Sequence, residues 1–117
     1  MKKFIPILFT LSMLTACRNS NVDDEMYNIA ESVIITVDGY MDNQIAFDEA
    51  YEKIKGLDNQ AENWYNQHKD DPNDYDNFMT QLEIGIVYSS LHAEHSGYGT
   101  HADLLDDRNK LADHIGY

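Results

Sequence analysis

The chain has 117 residues, with 21 acidic against eight basic residues and a formal charge of −13. That length holds one small domain, and so acidic a balance argues against binding nucleic acid or anionic lipid through the bulk surface. A single cysteine, Cys17, excludes an intramolecular disulfide framework.

The first segment is a leader. Lys2 and Lys3 are followed by an apolar run over residues 4–14, broken only by Pro6, Thr10 and Ser12. About eleven residues cannot span a bilayer as a permanent helix, which needs roughly 20, so the run reads as an export signal. Leu14-Thr15-Ala16-Cys17 resembles the lipobox of bacterial lipoproteins. The resemblance implies that signal peptidase II removes residues 1–16 and that Cys17 becomes a lipidated N-terminus with two or three acyl chains. Several chains give stable anchoring where one is marginal. Arg18 stands where an Asp would favour retention at the inner membrane, which implies the outer membrane in a Gram-negative host and otherwise the outer face of the cell membrane. Lys2 and Lys3 leave with the leader, so 21 acidic residues then face six basic ones, a formal charge of −15. Any charged partner is then expected to be cationic.

Residues 18–22, Arg-Asn-Ser-Asn-Val, are polar and unpatterned and read as a short tether behind the lipidated Cys17. The remaining residues, 23–117, form one helical domain. Asp23 is a candidate N-cap, with Asp24 and Glu25 in a first helical turn and Met26, Ala30, Val33, Val37 and Tyr40 on one helical face. Over residues 33–45 a strand-turn-strand competes, because residues 33–37 are β-branched and Asp38-Gly39 is a hairpin turn signal.

From Gln44 to His68 the pattern is cleaner: Phe47, Ala50, Ile54, Leu57, Ala61, Trp64 and His68 repeat at spacings of three and four, through Gly56. One helix with a kink at Gly56 is expected. Pro72 stops it, Asn73 or Asp74 caps the next, and that helix carries Tyr75, Phe78, Met79, Leu82, Ile86, Val87, Leu91 and Ala93 to about His95. Its wide apolar arc predicts the most buried helix, with Gly85, Ser89 and Ser90 as points of close approach. After the Ser96-Gly97-Tyr98-Gly99 loop, Thr100 and Asp103 resemble a capping box, and Leu104, Leu105, Arg108, Leu111, Ala112 and Ile115 give the last stripe. Four helices with short connections predict a small all-α, antiparallel, up-down-up-down four-helix bundle.

The chain carries no nucleophile elbow, phosphate loop or His-Glu-x-x-His motif, which argues against an enzyme. His92, His95 and His101 are the one constellation with metal-ligand chemistry: His92 and His95 share a helix face, His101 follows the loop, and imidazoles suit zinc, copper or nickel. Helix-end histidines favoured by the C-terminal dipole explain the same residues without metal, so no cofactor is expected. A histidine pair at the other end, His68 and His114, is a weaker candidate. The acidic stretch over residues 69–76 lacks the spacing of an EF-hand and reads as a turn and cap. Eight tyrosines accompany Trp64, and Tyr51, Trp64, Tyr65 and Tyr98 are the candidate interface anchors. The sequence thus favours a non-enzymatic, lipid-anchored module that binds another envelope protein. An envelope metal-binding protein and a purely structural lipoprotein are the alternatives.

Overall fold

A computed structural model describes residues 18–69 and 74–117. Four helices follow one another: α1 (Asp24–Met41), α2 (Phe47–His68), α3 (Asp74–Ser96) and α4 (His101–Ile115). The described residues contain no strand. Helices α1 and α2, α2 and α3, and α3 and α4 pack as antiparallel neighbours, and α1 also touches both α3 and α4, while α2 and α4 do not meet. The all-α bundle expected from the spacing is therefore the fold.

Helix α1 runs unbroken through the β-branched run and through Asp38-Gly39, so the hairpin alternative is not what the chain adopts. The reason is tertiary. Asp38 receives a two-pronged ion pair from Arg108 on α4, Nε to Oδ1 and Nη2 to Oδ2 both at 2.9 Å. Met26, Ala30, Val33, Ile34 and Val37 are buried in the core. Burying an α-helical stripe outweighs a β-propensity scale that spans only about 1 kcal/mol. The chain turns after Met41 because Asn43 adopts a left-handed φ of 60°, and the amides of Gln44 and Ile45 come back to the Gly39 carbonyl.

Helix α2 buries Ala50, Ile54, Ala61 and Trp64 and passes through Gly56 without a break. Leu57 is half-buried against this core. Helix α4 begins with the expected capping box, Asp103 N–H donating to Thr100 Oγ1 at 3.0 Å and Thr100 N–H to Asp103 Oδ2 at 3.1 Å. It ends at Gly116, whose φ of 75° suits glycine. The caps proposed for α3 at Asn73 and Asp74, and most of the acidic stretch at residues 69–76, lie outside the described side chains.

Residues 18–22 are not a free tether. Val22 is 2% exposed, one turn before Met26 on the same buried stripe. Asn19 caps the far end of the bundle, donating its backbone N–H to the Ile115 carbonyl at 2.9 Å and its side-chain amide to that of His114 at 2.9 Å. Arg18 pairs with Asp24 at 2.6 Å and lies over the Tyr27 ring. The polar composition that suggested a linker instead satisfies carbonyls at a helix end. Every buried apolar side chain among the described residues lies between Val22 and Ile115, so residues 18–117 carry a core of their own.

Candidate functional site

Helix α3 has two apolar faces set back to back. Ile84, Val87 and Leu91 are fully buried, and Asn77 and Thr80 extend the same line inward. Half a helical circumference away, Tyr75, Phe78, Leu82 and Ile86 remain 71%, 37%, 41% and 47% exposed. The expectation that α3 is the most buried helix is therefore corrected, and so is the membership of its stripe. Only Val87 and Leu91 of the expected core residues are buried, and the true inward line includes the polar Asn77 and Thr80.

Those two polar side chains are tolerated because they are satisfied. Asn77 Oδ1 accepts the Asp23 N–H at 3.0 Å, which fixes the start of α1, and Thr80 Oγ1 donates to the Asp76 carbonyl at 2.7 Å. A buried polar group with a partner loses little, whereas an unpaired one costs about 1–3 kcal/mol. Turning α3 to bury Leu82 and Ile86 would expose Ile84, Val87 and Leu91 and release the Asn77 contact to Asp23.

The outward face has a defined border. On the α2 side Tyr65 packs against Phe78 with ring centroids 5.4 Å apart, and Asp58 and Glu62 line an open groove with Leu82, Gly85, Ile86 and Ser89. Gly85 brings the Asp58 carboxylate within 3.6 Å of where a Cβ would stand. Burial, and next the charge of Glu62, push the Asp58 carboxyl above its usual range. On the α4 side the face ends at Ser90, which donates to Asp107, and at Asp103 and Asp106 beyond it. Lys110 reaches Asp106 at 3.1 Å in an exposed pair. An apolar strip thus runs between two acidic borders.

The histidines that were the candidate metal ligands do not come together. His95 stacks on Phe47 at 3.7 Å and His92 lies beside Tyr51 at 5.7 Å, both directed toward α2, while His101 is exposed at the start of α4. Among the described residues no group of three or more His, Cys, Asp or Glu side chains is arranged to hold a metal ion. His68 stacks on Trp64 and its Nδ1–H donates to the Trp64 carbonyl at 2.7 Å, and His114 approaches the Asp76 carbonyl at 3.0 Å. These contacts occupy the rings in packing.

The aromatic anchors divide. Trp64 is 8% exposed and belongs to the core, so it does not present a contact surface. Tyr51 is half-buried and its hydroxyl accepts from Tyr88 at 2.8 Å across the α2–α3 seam. Tyr65 borders the outward face of α3, and Tyr98, in the loop before α4, is 92% exposed. The helical spacing places Phe78, Leu82 and Ile86 on a core stripe, whereas they form an exposed face. A signal was present: these residues and Ile84, Val87 and Leu91 form two separate stripes at helical spacing, more than one core contact uses. Cys17 lies outside the described residues, directly before the docked Arg18. No described helix is long and apolar enough to cross a membrane. Comparison with known protein families, curated proteins and solved structures finds no match to the chain.

Proposed function

We propose that this is a non-enzymatic, lipid-anchored module of the bacterial cell envelope that binds another envelope protein through the outward face of α3. The observation that carries the reading is the exposure of Phe78, Leu82 and Ile86 on a helix whose opposite face is already buried. Contiguous apolar surface of this kind marks interaction sites on monomeric proteins, and aromatic residues at its edge, here Tyr65 and Tyr75, are typical anchors. The docked segment at residues 18–22 bears on how the module is displayed. With Asn19 and Val22 fixed to the bundle, acyl chains on Cys17 would hold that end of the domain at the membrane with almost no slack. Helix α3 would then rise from that surface with its apolar face directed sideways.

Anchoring and binding are tested separately. Metabolic labelling with a fatty acid should mark the wild-type protein and not Cys17→Ser, and label retained by Cys17→Ser removes the lipoprotein assignment. Purification of the anchored protein from its own membrane should bring one partner in fixed proportion, lost on Leu82→Asp. A purely structural lipoprotein would yield no saturable partner.

A further inference from the structure

We propose that the groove between α2 and α3 receives an amphipathic helix of the partner protein that carries Lys or Arg beside its apolar stripe. The inference rests on the protein-binding reading above and adds the chemistry of what is bound. The floor of the groove is apolar at Leu82 and Ile86 and low at Gly85 and Ser89, and this is the arrangement that lets another helix approach closely. The groove is open and about 460 Å³, room for side chains laid along it. From Tyr75 to Ala93 the face runs about 27 Å at 1.5 Å per residue, which matches a partner helix of roughly 18 residues.

Charge selects the occupant. Asp58 and Glu62 form one wall, and Asp103, Asp106 and Asp107 stand beyond the other edge against the single Lys110. A second copy docking the same face would set acidic border against acidic border, on a chain whose formal charge after the leader is −15. An anionic bilayer meets the same repulsion. A helix with basic flanks pairs with both borders while its apolar stripe covers Leu82 and Ile86, and the borders draw it in at low salt.

The test uses residues 18–117 and three synthetic 18-residue peptides. One is helical with a leucine stripe flanked by lysines, the second has the same stripe flanked by glutamates, and the third is the lysine peptide with its order scrambled to destroy the stripe. Titration calorimetry should show one saturable site for the lysine peptide, with at least tenfold weaker binding of the other two. Ile86→Asp should weaken the lysine peptide at least tenfold, and Asp58→Asn with Glu62→Gln should weaken it severalfold and flatten its salt dependence. All three positions line the groove, and circular dichroism of each variant checks that the helices remain.

Equal binding of the lysine and glutamate peptides overturns the charge argument, and equal binding of the scrambled peptide reduces it to bulk attraction. Dimerisation of residues 18–117 that Ile86→Asp abolishes makes a second copy the occupant and also overturns it. Should the peptides fail while a membrane partner is still lost on Leu82→Asp, this inference falls and the protein-binding function stands. Loss of both removes the function as well.

Discussion

The two faces of α3 are both largely apolar and opposite in fate. Inward, Ile84, Val87 and Leu91 are sealed against α1, α2 and α4 together with the polar Asn77 and Thr80; outward, the more aromatic set of Tyr75, Phe78, Leu82 and Ile86 meets solvent. Hydrophobicity does not decide between them. What decides is fit: the inward line has small or satisfied side chains where α1 starts, and neighbours on three sides. A helix apolar all round is usually buried all round. In a four-helix domain, where one side of every helix must face outward, the surplus stripe is instead surface awaiting a contact.

The largest expected effect separates the faces by stability. Ile84→Ala and Leu91→Ala each leave a cavity in a closed core and should cost about 2–5 kcal/mol in denaturant unfolding of residues 18–117. Ile86→Ala and Leu82→Ala should change stability by less than about 0.5 kcal/mol, as surface positions do. Equal losses on the two faces would mean that the outward stripe is core in solution.

A middle-sized effect concerns the contact that holds α1 as a helix. Arg108→Ala removes a two-pronged, partly buried pair with Asp38 and should cost about 1 kcal/mol, whereas Lys110→Ala, on an exposed pair with Asp106, should leave the melting temperature unchanged. Arg108→Lys keeps the charge without the fork and should recover only part of the loss.

The smallest effects are read by titration and set the interior seams against the groove. Tyr40 is pushed up to about 12, first by burial and then by its 2.7 Å hydrogen bond to Glu94; Tyr88 is pushed up to about 12, first by its hydrogen bond to Tyr51 and then by burial. The native state therefore keeps these protons when the unfolded chain begins to lose them near pH 10, so stability held below pH 10 declines between pH 10 and 12. Ultraviolet titration should show Tyr40 and Tyr88 ionising late, with the Tyr40 contribution missing in Tyr40→Phe; ionisation of all tyrosines near pH 10 would contradict the seam geometry. On the acid side, Asp58 at the groove and Glu83, whose buried Oε2 has no hydrogen-bond partner among the described residues, are both raised chiefly by burial. The folded state holds their protons more tightly. Their contribution is thus greatest below the ordinary carboxylate range and falls as pH rises, and Glu83→Gln should stabilise the protein at neutral pH.

Much of the bundle was legible because it is local. The three-and-four spacing from Phe47 to Trp64, the face from Met26 to Val37, and the Thr100–Asp103 box all depend on residues within a few turns of one another. What escaped depends on distant partners. Nothing near Asp38 announces that Arg108 will hold it in a helix, and nothing near Asn19 announces the carbonyls of α4. The site was missed for the same reason. Two stripes on one helix look like one wide stripe until the neighbours choose a side.

The most direct measurement pairs Ile84→Asp with Ile86→Asp in the anchored protein, following fold by thermal unfolding and function by the partner recovered from the membrane. Ile84→Asp should unfold the domain, while Ile86→Asp should melt as the wild type does and recover no partner. A folded Ile86→Asp protein that still retains its full share of partner would contradict the account.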